Sequence, residues 1–182
     1  MKRLLGMILI MGLPAHAWAE VKIEQTNSTY ELRGLTTEQI HDDIMKSAPR
    51  ENGEIIDGEL KDDVSLSLDY TIQAGVCRVG TDTVTLKLVM SLPRWVDEGR
   101  APDEVRKAWN AYFSALQSHE GGHKAIALDA ANAIDGLIHA DPSGQSCSAL
   151  ETKIRKAAEK IQIEAEAQQE SLDQSAKPFD LE

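Results

Sequence analysis

His119-Glu120-Gly121-Gly122-His123 is the stretch around which the rest of the chain arranges itself. On an α-helix, residues four apart share a face, so His119 and His123 can direct two imidazoles at one point. That geometry supplies two ligands of a tetrahedral zinc ion. Glu120 flanks the same face. A carboxylate there can hold a metal-bound water and take its proton, the general-base role in a metal-dependent peptidase. Each glycine costs about 1 kcal/mol in a helix interior relative to alanine, so two in succession need a reason. Close approach of a strand or a substrate would supply one. The competing accounts are a chance occurrence of the motif and a pair of hydrogen-bonded core histidines.

The residues on either side support a helix. Pro102 stands where one would begin, with Asp103 and Glu104 in its first turn. Apolar residues then recur at helical spacing: Val105, Trp109, Tyr112 or Phe113, Leu116, and beyond the motif Ile126 or Ala127, Ala130, Ile134 and Leu137. The histidines continue this stripe, so they face the interior or a cleft. One long helix, or two nearly collinear ones, is expected from about 103 to 139. Asp141-Pro142-Ser143-Gly144 reads as a turn. Ser148 and Glu151 form a capping box for a last helix, with Leu150, Ile154, Ala157 or Ala158, Ile161, and Glu164 or Ala165 facing inward. It should return antiparallel along the first. From Ser171 the chain reads as a polar tail.

Upstream the period changes from 3.6 to 2. Val64, Leu66, Leu68, Tyr70 and Ile72 alternate with polar residues, Gly75 marks a turn, and Thr83 to Leu92 places Val84, Leu86, Leu88 and Met90 on one face. These two strands should pair antiparallel. Val21 to Arg33 reads as a hairpin or two short strands ending at Gly34. Thr36 or Thr37 then caps a helix that buries Ile40, Ile44 and Met45 and stops at Pro49. His41 on that helix has no partner at i+4 and reads as a solvated residue. Arg50 to Asp63 reads as a loop. The expected fold is α+β: a small antiparallel sheet with an N-terminal helix, followed by the long H-E-x-x-H helix and an antiparallel C-terminal helix.

The first 19 residues read as a secretory signal: basic Lys2 and Arg3, an apolar run from Leu4 to Leu13, and a small-x-small site, Ala17-Trp18-Ala19, with cleavage after Ala19. The apolar run is too short to span a membrane, and no other stretch approaches the ~20 residues required. Residues 20–182 would then form a single domain, exported to the periplasm or secreted. Losing Lys2 and Arg3 takes the formal charge from -11 to -13. A surface that acidic argues against nucleic acid and anionic membranes as partners. The two cysteines, Cys77 and Cys147, favour one disulfide in an oxidising compartment.

A catalytic zinc needs a third protein ligand. Asp129 follows His123 by six residues, but six steps of 100° place it about 240° round a continuing helix. Asp135 and His139 also fall off the face. If the last two helices form a hairpin centred near residues 143 to 144, position 121 lies level with about 166. Glu164 is then favoured as the third ligand, with Glu166 as the alternative.

Several motifs together resemble the predicted secreted zinc-dependent protease family of bacteria, a group of H-E-x-x-H proteins. The similarity covers most of the chain after residue 19. The opening Y-x-v-x-G-x-T is matched by Tyr30 to Thr36, a cysteine between two strands by Cys77, and L-P-x-W by Leu92-Pro93-Arg94-Trp95. The pattern W-x-x-(Y/F)-x-x-x-L-x-x-H-E-x-G-H is matched from Trp109 through Leu116 to His119–His123, and a cysteine before the last helix by Cys147. Many members end in Y-D-x-x-T-x-H-G. The stretch Leu172-Asp173-Gln174-Ser175-Ala176-Lys177-Pro178-Phe179 keeps the aspartate and lacks the tyrosine and histidine. Asp173 therefore stays open as a ligand. The resemblance implies either a third ligand elsewhere or a member with weak zinc binding and no catalysis.

The function expected from the sequence is an exported zinc-dependent metallopeptidase acting on a peptide or protein substrate. Zn2+ would sit on His119 and His123, with Glu120 as the base. The strand Thr83 to Leu92 would be an edge onto which an extended peptide adds. The alternative is a catalytically inactive, peptidase-like binding module of the cell envelope.

Overall fold

The computed structural model describes residues 21–51, 53–140, 142–176 and 181. The expected signal peptide, residues 1–19, lies outside them.

The element order is β1 (Lys22–Leu32), α1 (Thr37–Ser47), β2 (Arg50–Glu51), β3 (Glu54–Ile55), β4 (Glu59–Gln73), β5 (Val76–Trp95), α2 (Asp103–His139), β6 (Ser143–Gly144) and α3 (Cys147–Ser175). A single 3-10 turn, Glu98–Arg100, leads into α2. This is the expected α+β class, with a mixed sheet in place of a purely antiparallel one. β4 and β5 form a long antiparallel hairpin, whereas β1 runs parallel to β5 from Lys22↔Thr85 to Leu32↔Trp95. The sheet order is β1-β5-β4, and β6 pairs with Cys77 and Arg78 of β5, before the segment that β1 occupies.

The segment 21–33 is therefore one edge strand, not a hairpin. Its side chains are exposed on both faces over most of its length, which explains its weak alternation. The supposed loop 50–63 holds the small β2–β3 pair and the start of β4. The strand expected over Thr83–Leu92 is the middle of the 20-residue β5. It is flanked by β1 and β4, so the expected peptide-accepting edge does not exist there. The edges are β1 and β4.

Local chemistry sets the helix ends. Thr36 accepts from the Gln39 N–H at the start of α1, and Ile40 and Ile44 are buried. Met45 is exposed, one position off that face. α3 starts two residues ahead of expectation: Ser146, not Ser148, caps it through the Ala149 N–H. Its end also moves. The polar run from Ser171 stays helical to Ser175, because no proline interrupts it before Pro178.

Two cores share α2. One gathers Leu32, Ile40, Ile44, Trp95, Trp109, Tyr112, Leu116 and Leu181 around the first half of the helix. The other packs Ala127, Ala131, Ile134 and Ile138 with Val84, Leu86 and Leu88 of the sheet and Leu150, Ile154 and Ala158 of α3. The Cys77–Cys147 disulfide ties β5 to the start of α3, as expected. The stretch between Leu116 and Ala127 belongs to neither core and carries the two histidines.

Candidate metal centre

α2 runs unbroken through both glycines. Its His119 and His123 imidazoles meet edge to face, ring centroids 4.7 Å apart, with the two Nε2 atoms at 3.1 Å. α3 supplies the third group. Asp173 Oδ1 lies 3.0 Å from His119 Nε2 and 2.9 Å from His123 Nε2. The preferred Glu164 and Glu166 are not there. Glu164 faces Lys160 on the solvent side, and Glu166 lines a separate cavity of about 200 Å³ with Asp62, Gln162 and Gln169. The reason is the hairpin register. His119 meets Asp173 and His123 meets Gln169, so both pairs are centred on residue 146, beyond the 143–144 turn. Asp129 is exposed and outside the group, while Asp135 and His139 sit near the far end of α2 in a cluster with Asp82.

Gly122 explains part of this approach. A Cβ built there would lie 2.8 Å from Leu172 Cδ2, so the glycine lets α3 close in beside Asp173. Gly121 has nothing within 4 Å and faces solvent.

A second layer of contacts orients the ligands. Gln169 Nε2 donates to Asp62 Oδ1 of β4 at 2.9 Å. A carboxylate only accepts, so the amide is held with its oxygen toward His123. That oxygen lies 2.9 Å from His123 Nδ1, which must then carry the proton. The remaining nitrogen, Nε2, presents its lone pair to His119 Nε2 and Asp173 Oδ1. Acceptor atoms thus converge with too few protons to pair them, an arrangement a cation satisfies. Zinc bonds of about 2.0–2.2 Å at tetrahedral angles separate donors by about 3.3 Å, close to the 2.9–3.1 Å seen here. The donor set therefore fits zinc. The His119 and His123 side chains are 14% and 10% exposed, but that of Asp173 is 58% exposed, so water reaches the site from the α3 side.

Glu120 is only 3% exposed. Burial pushes its carboxyl above the usual carboxylate range, against the pull of His123 and His119 and of a backbone hydrogen bond from Leu60 of β4. Lys124 of α2 donates to Gln25 of β1 at 2.7 Å, so both sheet edges reach this part of the helix.

Gln169 and Asp62 had no signature in the sequence. Asp173 had one: Ala158, Ala165 and Leu172 repeat every seven residues, which carries the inward stripe of α3 up to its neighbour.

Fold and site define paired helices, framed by a mixed sheet, that bring together a His-His-Asp group able to hold a metal ion. The chain belongs to a bacterial family described as "Bacterial protein of unknown function (DUF922)", which it matches over residues 27–179. No curated protein and no solved structure matches it.

Proposed function

We propose that this protein is an exported zinc-dependent hydrolase of peptide bonds. One observation carries the proposal: His119 Nε2, His123 Nε2 and Asp173 Oδ1 converge within 3.1 Å of one another beside a buried glutamate. Three protein ligands with a solvent-facing side leave room for a reacting group, which a closed structural zinc site would not. Bound there, zinc supplies a Lewis acid that polarises a carbonyl and acidifies water. The chain's residues do the rest. Gln169 holds the His123 ring in its metal-binding tautomer. Glu120, when ionised, takes the proton of the attacking water and returns it to the leaving amine. No helix among the described residues is long and apolar enough to cross a membrane, and the disulfide supports a compartment outside the cytoplasm.

The test pairs metal content with hydrolysis. Protein purified without chelator or nickel resin should hold about one equivalent of zinc more than its His119→Ala variant. Glu120→Gln should keep that zinc and lose hydrolysis of peptide substrates. Undiminished hydrolysis by Glu120→Gln would remove Glu120 as the base.

One observation favours the alternative of a non-catalytic binding module. Glu120 already accepts a hydrogen bond from the Leu60 backbone, which ties β4 to α2. If that is its whole role, Glu120→Gln keeps both the metal and the bond, Glu120→Ala loses stability, and the unaltered protein hydrolyses nothing.

A further inference from the structure

We propose a second, structural cation site near the far end of α2, formed by Asp82, Asp135 and His139, that takes a divalent first-row transition-metal ion. One ligand atom from each of the three residues lies within 4.8 Å of the others. Asp82 comes from β5, opposite Leu68 and beside the register shift between Leu68 and Tyr70. Asp135 and His139 are one turn apart on α2. The group is separate from the first site: Asp135 follows His123 by twelve residues, about 18 Å along a helix.

The independent sign of a missing partner is a pair of stranded oxygens. Asp82 Oδ2 and Asp135 Oδ1 are both shut off from solvent and accept no hydrogen bond among the described residues. A carboxylate oxygen in that position costs free energy unless a proton or a cation meets it, and two neighbouring carboxylates raise the cost of each other's charge. The Asp135 and His139 side chains are 16% and 23% exposed, so water has limited access.

His139 is set up as a ligand. Its Nδ1 lies 2.9 Å from the Asp135 backbone carbonyl and 3.5 Å from Asp135 Oδ2, so the ring is turned toward the carboxylates. Two carboxylates and an imidazole without thiolate suit zinc or manganese. An ion there would pin β5 to α2 just ahead of β6, and β6 itself pairs with the β5 residues at the disulfide.

The experiment uses the full chain after residue 19, disulfide intact and stripped of metal, in a His119→Ala/His123→Ala background that disables the first site. Zn2+ and, separately, Mn2+ are offered, and bound metal is measured after desalting alongside the thermal midpoint. The background should retain about one equivalent of at least one of the two ions and melt higher with it. Asp82→Asn and His139→Ala should each abolish both effects. Asp82→Asn keeps the side-chain shape. Should it nevertheless fail to fold, as judged by circular dichroism, His139→Ala at the partly exposed ring decides the matter. No bound equivalent of either ion in the background, or retention unchanged by His139→Ala, overturns the site and leaves a proton shared between the two carboxylates.

Discussion

Gln169 Oε1 lies 2.9 Å from His123 Nδ1, and this contact puts the ring proton on Nδ1 and leaves Nε2 facing His119 and Asp173. The amide is itself anchored by Asp62 of β4. Outer-shell partners of this kind are worth about 10–100-fold in metal affinity. Gln169→Leu should therefore weaken zinc binding by about that factor while leaving the fold intact. Asp62→Ala should cost less, since it frees the amide to turn without removing it. Competition against a chromophoric chelator measures both. Equal affinities in Gln169→Leu and the unaltered chain would show that the tautomer is fixed by something else.

The two glycines should respond oppositely to alanine. Gly121 is exposed and has open space around its missing Cβ, so Gly121→Ala should stabilise the metal-free protein by about 0.5–1 kcal/mol. Gly122→Ala gains the same helix propensity but drives its Cβ against Leu172 Cδ2, next to Asp173. Its stability gain should vanish or reverse, and its zinc affinity should fall. Urea unfolding of the two variants is the check. Matching midpoints would mean that Leu172 simply rotates away.

These contacts also show where the sequence stops being informative. α2 was legible because Val105, Trp109, Tyr112 and Leu116 repeat at helical spacing up to the histidines, and that stripe is buried as expected. The antiparallel β4–β5 hairpin was legible from its alternation and from Gly75, which adopts φ +77° in the turn. Asp173 was harder to find because hairpin register depends on loop geometry and on how Gly122 packs against Leu172. A shift of a few residues in the centre of the hairpin exchanges Glu166 for Asp173. The parallel β1–β5 pairing was hidden for another reason. An edge strand exposed on both faces carries no periodicity from which a partner could be chosen.

The disulfide should contribute strongly to stability. Cys77 and Cys147 are 70 residues apart, and closing a loop of that length removes denatured-state entropy worth roughly 3 to 4.5 kcal/mol. Cys77→Ser/Cys147→Ser should lose about that much in urea unfolding while keeping its helical circular dichroism. A loss well under 1 kcal/mol would mean that β6 and the α3 contacts already confine the chain.

Acid should loosen the junction where β1, β5 and the turn into α2 meet. Asp97 is 8% exposed, accepts from the Gly34 N–H at 3.0 Å and is paired with Arg100. Gly34 also accepts from Trp95 Nε1 at 3.0 Å, so one carboxylate braces the ends of two strands. The hydrogen bond from Arg100, then that from Gly34, holds the Asp97 carboxyl below the usual carboxylate range. A depressed folded-state pKa means that the charged form is favoured by folding. Its contribution is fully present above the unfolded value, about 3.9, and is lost as pH falls through the lower folded value. Asp97→Asn can still accept from Gly34 but has no charge for Arg100. The variant should therefore be less stable than the unaltered chain at neutral pH, and the gap should close below about pH 4. Thermal unfolding of the metal-free proteins from neutral pH into acid tests this. A gap that stays constant across that range would assign the role of Asp97 to packing rather than to charge.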